Sequence, residues 1–273
     1  MIDLSFKYRG AIDYLNEEAP FKPDAAIVLG SGLGIFADSI KKNKSIQTSE
    51  IPGYPFTSVQ GHKGLIHFGT IERKKILIFQ GRLHFYEGYK LSDCVLPVLL
   101  AKKTGCSQIL FTNAAGGVNK NFSPGDLMLV SSFNSMNIKK ELSELIGIAS
   151  VEIKNSFLNC PSKRINDIIR NTAEEKSIRL REGTYWYNKG PAYETPAEIK
   201  MIGKFGGDAA GMSTVHEAVF ASSLNMEVGA ISCITNMGSG LSDKKLSHDE
   251  VTQTANAVAE KFTLLLKTAI PKL

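Results

Sequence analysis

The sequence predicts an α/β fold built on a largely parallel or mixed sheet. Short apolar runs of strand length recur along the chain, and amphipathic stretches of helical length separate them. A glycine-punctuated polar segment follows nearly every run. With 273 residues, no internal repeat and no low-complexity linker, one domain over 1–273 is expected.

The elements follow from local pattern. Residues 5–18 read as a helix, with Ile12, Tyr14 and Leu15 as apolar contacts. Asp24–Leu29 is a short apolar run ending at Gly30, as a buried strand would be. Leu65–Ile71 and Lys75–Gln80 read as two strands, and Ser92–Lys103 as a helix with an irregularity at Pro97. Ser107–Phe111 and Asp126–Ser131 are further strands. Arg164–Lys176 and Pro196–Phe205 are helical, Asp208–Gly211 is a short strand and Val215–Leu224 a helix. Glu227–Ile234 is the last strand. His248–Thr268 reads as one long amphipathic helix with Val251, Val258, Phe262 and Leu265 on one face. Patterning is weakest over 133–163.

Bulk composition narrows the function. Charged residues make up 22% and the apolar set 43%, a globular balance rather than a disordered one. The net charge of +5 suits an anionic small substrate, but the basic residues are scattered. Without a basic stripe interleaved with aromatics, nucleic-acid polymers are poor partners. The cysteines Cys94, Cys106, Cys160 and Cys233 form no CxxC pair, which argues against zinc and disulfide frameworks. Reduced thiols, a start at Met1–Ser5 that lacks a signal-peptide pattern, and no apolar run near the ~20 residues of a membrane span give a cytoplasmic expectation.

In α/β sheets ligands bind at the carboxyl ends of strands, and the polar glycine segments sit there. Gly30–Gly34, with Ser31, is a loop whose backbone can approach an anion. Ile35 breaks a dinucleotide fingerprint and the P-loop lysine is missing, so a tight turn competes with the anion reading. In Gly81–Tyr89, alternation places Arg82, His84 and Tyr86 on one side if the segment is extended. Arginine offers a planar donor fork for phosphate, and tyrosine a flat face for a sugar. Thr112–Gly117 either exposes backbone N–H groups or forms a buried turn. Gly211–Thr214 leads into a helix, where Ser213 donates to an anion or else caps the helix with Thr214. Gly190–Glu194 and Asn236 supply an acceptor and a mixed donor/acceptor, the parts that read a heterocycle's edge. His62 belongs to a loop, His67 and His216 read as structural, and His248 is either a capping-region residue or a sugar ligand.

Taken in order over about residues 25–265, these segments, with Gly61–Gly64, Glu182–Tyr185, Gly190–Glu198, Thr235-Asn236 and His248–Val251, resemble the trimeric class of purine nucleoside phosphorylases. The resemblance implies a phosphorylase/hydrolase-like α/β fold with a mixed, partly barrel-like sheet flanked by helices. It implies that Ser31, Arg82, His84, Ala114 through its backbone N–H, and Ser213 hold inorganic phosphate, with His62 bordering it. Tyr86, Met212 and His248 would hold the ribose. Tyr193 would stack on the base, and Glu194 and Asn236 would read its polar edge. Asn236, Glu194 and His84 would carry the catalysis. Phosphorolysis of 6-oxopurine ribo- and deoxyribonucleosides follows, with phosphate as co-substrate, no metal, no organic cofactor and a homotrimeric assembly. The rivals are a methylthioadenosine phosphorylase and a catalytically weakened nucleoside-binding protein. Two departures stand out. Residue 237 is Met where some members carry lysine, and Ser132-Phe133-Asn134-Ser135 occupies the place of an Asp-His-Ile-Asn segment.

Overall fold

The structure is a computed structural model that describes residues 3–56, 63–147, 150–242 and 248–273. Its helices and strands, in chain order, are α1 (Leu4–Lys7), α2 (Arg9–Glu18), β1 (Ala25–Leu29), β2 (Lys41–Gln47), β3 (Leu65–Ile71), β4 (Lys74–Gln80), α3 (Leu91–Cys94), α4 (Leu96–Thr104), β5 (Gln108–Gly117) and β6 (Leu127–Asn134). There follow α5 (Lys139–Ile146), α6 (Val151–Leu158), α7 (Lys163–Glu175), β7 (Leu180–Tyr187), α8 (Pro196–Lys204), β8 (Ala209–Gly211), α9 (Val215–Ser223), β9 (Glu227–Met237), α10 (His248–Ala257) and α11 (Ala259–Ala269).

The strands form one mixed sheet in the order β2-β3-β4-β1-β5-β8-β7-β6-β9, and β9 also pairs with β5. That extra pairing closes β5, β8, β7, β6 and β9 into a five-stranded barrel, while β2, β3, β4 and β1 extend as an open wing. Strands β1, β4, β5 and β9 run parallel; β3 is antiparallel to β4, and β8 to β5.

The apolar runs are continuous because the sheet is covered on both faces. On β1, Ala26 and Val28 enter one core and Ile27 and Leu29 the other. On β4, Leu77 and Phe79 divide from Ile76 and Ile78 in the same way. The first core takes α2, α4 and α9; the second takes α7 and α11, through Ile165, Ile169, Phe262 and Leu265.

Several elements differ from the sequence expectation. The first helix is broken at Tyr8 (φ −108°, ψ 24°) into α1 and α2. The helix at Ser92–Lys103 divides at Val95, so that Pro97 falls in the first turn of α4, where its missing N–H costs nothing. The final helix breaks at Val258 (φ −102°, ψ 1°). Strand β2 went unread because it is an edge strand carrying Lys41, Lys42 and Lys44, with Ile46 its one buried residue. Strand β5 runs on through Asn113–Gly117, so the tight turn that competed with the exposed N–H reading there is instead extended chain that pairs with both β8 and β9. The weakly patterned 133–163 region holds α5 and α6.

Candidate active site

The carboxyl ends of β1, β4 and β5 open onto a single cleft. Strand β8 runs against β5 but pairs only with its end, at Gly116 and Gly117, so Gly211–Ser213 lie at the same rim, where the loop after β7 brings Tyr193 and Glu194. The cleft is lined by Ser31, Arg82, His84, Tyr86, Ala114, Tyr193, Glu194, Met212, Ser213 and Asn236. These are ten of the twelve residues singled out from sequence. His62 lies outside the described residues, and His248 opens α10, at the end of the undescribed 243–247.

Arg82 sits immediately after β4 and is 2% exposed. Its Nη1 donates to Ser213 Oγ at 2.8 Å and to Thr214 Oγ1 at 2.7 Å, and its Nη2 to the Thr112 carbonyl at 2.6 Å. Glu217 on α9 approaches the guanidinium at 3.3 Å with no exposed surface. Burial pushes the Glu217 carboxyl up, against the opposing pull of Arg82 and the Thr214 N–H.

Ser213 is aimed by an unusual turn. Thr214 adopts φ +72°, ψ −49°, and the Val215 N–H donates to the Ser213 carbonyl at 2.8 Å. This is a three-residue γ-turn with a β-branched residue on the disfavoured side of φ. Thr214 is held there through Oγ1, which accepts from Arg82 and from Asn113 Nδ2 at 3.0 Å, and through its N–H, which donates to Glu217 at 3.0 Å. Thr214 is therefore the N-cap of α9, which leaves Ser213 facing the cleft.

His84 accepts a different geometry from the one alternation suggests. Phe85–Glu87 form a 3-10 turn, so Tyr86 does not extend beside His84 but folds back and stacks on it, with centroids 4.8 Å apart and planes 22° apart. Glu87 receives the His84 backbone N–H at 2.7 Å and lies 3.2 Å from Nδ1. A proton on Nδ1 leaves Nε2 for the cleft. Burial raises the Tyr86 and Tyr185 hydroxyls to about 12, so both stay protonated at neutral pH. The Tyr185 oxygen accepts from the Ser213 N–H at 3.5 Å.

At the other end of the cleft, the Asn236 amide is oriented by neighbours. Thr235 Oγ1 donates to Asn236 Oδ1 at 3.0 Å, and Asn236 Nδ2 donates to the Met237 carbonyl at 3.2 Å. Glu194 is half-buried and accepts from Asn188 Nδ2 at 2.5 Å. The loop between them needs glycine at 190: φ is +69°, and a Cβ there would come within 2.4 Å of Met212 Sδ and 3.2 Å of the Tyr86 ring. Tyr193, 46% exposed, stands at the mouth. His67 bonds Ser45 and Gln80, and His216 is enclosed in the core against Tyr187; both are structural, as the sequence suggested.

The chain matches the Phosphorylase superfamily over residues 24–271. It is 41% identical, over 264 residues and 95% of both chains, to purine nucleoside phosphorylase 1 of Geobacillus stearothermophilus. The chain belongs to the purine nucleoside phosphorylases. The Schistosoma mansoni enzyme superposes with a TM-score of 0.87 at 31% identity, both in its complex with inosine, covering 100% of this chain and 97% of that one, and in its complex with adenosine, covering 98% and 97%. The closed barrel in the mixed sheet is thus the family fold, and the chain is a phosphorylase of the glycosyltransferase type.

Sequence reasoning gave no role to the residues that hold the site's own side chains: Asn188, and, within segments it did single out, Thr235, Glu217 and Glu87, together with the turn at Thr214. Asn188 falls in the gap between the two family-like stretches Glu182–Tyr185 and Gly190–Glu198. Glu217 reads as an ordinary first-turn carboxylate of a helix.

Proposed function

We propose that this chain cleaves 6-oxopurine nucleosides such as inosine and guanosine with inorganic phosphate, giving the free base and (deoxy)ribose 1-phosphate. The observation that carries the reading is the polarity of one cleft. Phosphate donors from Ser31, Arg82, His84, Ala114 and Ser213 gather at one end, and a carboxylate and an amide stand at the other. Tyr86 and Met212 line the same cleft and would hold the pentose; His248 completes the sugar contacts in this reading.

Cleavage of the glycosidic bond develops an oxocarbenium ion on the sugar and negative charge on the departing purine. A phosphate beneath C1′ serves as nucleophile and counter-charge. Asn236 Nδ2, one N–H committed to the Met237 carbonyl, directs its other N–H to N7, where the purine's charge appears. Glu194 accepts from N1–H and from a 2-amino group. Adenine has an acceptor at N1, and facing it with a carboxylate costs several kcal/mol by order of magnitude. The chemistry calls on no metal or organic cofactor.

The expected assembly is a cytoplasmic homotrimer. Met136, Val151 and Leu158 leave apolar surface on the segment from which a neighbour would be contacted. Coupled oxidation of released hypoxanthine tests the activity. Release from inosine is expected only with phosphate present and faster than from adenosine or methylthioadenosine. Phosphate-independent release, or faster turnover of methylthioadenosine, overturns the reading. Light scattering of the same preparation should return three chain masses; one chain mass removes the trimer.

A further inference from the structure

We propose that Asn188, oriented by Asn137, is a positioning residue of the base site that fixes the Glu194 carboxylate and thereby enforces the choice of purine. The inference rests on the reading that Glu194 meets the base.

Glu194 stands on a loop whose preceding residues, Pro191, Ala192 and Tyr193, are exposed. A carboxylate in that setting has many rotamers and little to choose among them. One bond restrains it: Asn188 Nδ2 to Glu194 Oε1 at 2.5 Å, which closes the loop across six residues from its first to its last position. A donor onto a carboxylate belongs to the stronger class of hydrogen bonds, because the acceptor is ionised.

The direction of the Asn188 amide is not free. Asn137 Nδ2 donates to Asn188 Oδ1 at 2.8 Å and to the Tyr187 backbone carbonyl at 3.1 Å. The backbone carbonyl fixes the Asn137 amide, Asn137 then occupies the Asn188 oxygen, and only N–H is left to face Glu194. The relay presents a donor to the acid and never an acceptor. A carboxylate satisfies it; the arrangement holds Glu194 as an acceptor and leaves Oε2 for the base. An acceptor so fixed rewards a base bearing N1–H and opposes one bearing a lone pair there. Asn137 lies just beyond Ser132–Ser135, the segment where this chain departs from the family pattern, so the departure carries its own support for the base site.

The test is steady-state kinetics on Asn188→Ala, Asn188→Asp and Asn137→Ala with inosine, adenosine and phosphate varied separately. For Asn188→Ala the inosine KM should rise about ten- to a hundredfold, the equivalent of one hydrogen bond to a charged group. Its kcat should change less, the phosphate KM should hold, and the inosine-to-adenosine ratio of kcat/KM should fall. Asn188→Asp sets acceptor against acceptor and should lose more. Asn137 is exposed, so its alanine variant should fold normally and shift the inosine KM and the ratio in the same direction by a smaller factor. Wild-type inosine KM and ratio in Asn188→Ala overturn the proposal. So does an equal loss for both nucleosides with a matching rise in phosphate KM, which marks general damage. If Asn188→Ala does not fold, unchanged KM and ratio in Asn137→Ala overturn it alone. Glu194→Gln separates the two readings: if it too leaves inosine KM unchanged, the base-site assignment has failed rather than the relay.

Discussion

Arg82 does two jobs, and they can be separated. It is placed to meet phosphate, and it also neutralises a buried carboxylate. Removing one partner of a buried ion pair costs about 3–5 kcal/mol, because the other charge is left alone. Arg82→Gln is therefore expected to raise the phosphate KM at least tenfold and to lower the urea midpoint together. Adding Glu217→Gln should restore most of the stability and none of the phosphate affinity. A double variant as unstable as the single would show that Glu217 is not the stranded charge. The pair also shows what was legible at this scale. Ser31, Arg82, His84, Ser213, Glu194 and Asn236 were readable because chemistry-bearing side chains stand out in small-residue segments at strand ends. Glu217 and Asn188 were not. Their meaning lies in a partner that only the fold brings near: a guanidinium from the loop after β4 for the first, and a carboxylate beyond a glycine-proline turn, with an amide from a distant segment behind it, for the second.

The element that positions the phosphate end is the γ-turn at Thr214. A non-glycine residue on that side of φ costs on the order of 1–3 kcal/mol. Three hydrogen bonds, from Arg82, from Asn113 and to Glu217, hold it there. Thr214→Ala keeps the strain and loses both bonds to Oγ1, so a loss of about 2–4 kcal/mol in urea unfolding is expected. Thr214→Gly loses the same bonds but releases the strain, and should lose less. If glycine proves the more damaging substitution, the strain has been misread. Elements differed in legibility for reasons of environment. Strands β1, β3 and β4 declared themselves as apolar runs because helices cover both faces or a core lies behind them. Strand β2 is a polar edge. Strand β7, Leu180–Tyr187, begins with two half-buried residues, alternates only over Glu182–Thr184 and then buries Tyr185, Trp186 and Tyr187 in succession, so no single period marks it. The helix breaks at Tyr8, Val95 and Val258 carry no glycine, and the apolar pattern runs through each of them.

For the molecule as a whole, closing the barrel requires α9 to pack almost entirely inside, with every residue from Val215 to Ser222 buried. That places His216 in the core, where its ring meets Tyr187 edge-on at 5.5 Å and neither ring nitrogen has a hydrogen-bond partner among the described residues. Burial, with Arg82 and His84 as like charges nearby, lowers its pKa to about 3. The folded protein then refuses a proton that the unfolded chain accepts below pH 6.5. Stability is consequently complete above that value and falls as pH drops from 6.5 toward 3, by about 2 kcal/mol at pH 5 from this group alone. His67, also lowered by burial, acts in the same direction, while Glu217, raised by burial, acts against it. Urea midpoints at pH 7.5 and pH 5 measure the sum, and His216→Phe isolates the part due to this ring. An apolar ring in a site that offers no hydrogen bond should keep the stability of the parent at pH 7.5 and lose much of the fall at pH 5. A variant whose stability falls between the two pH values as steeply as the parent's would place the acid sensitivity at His67 instead, because the lowered values of the ion-paired carboxylates Asp93, Glu182 and Glu227 confine their contribution to more acidic conditions.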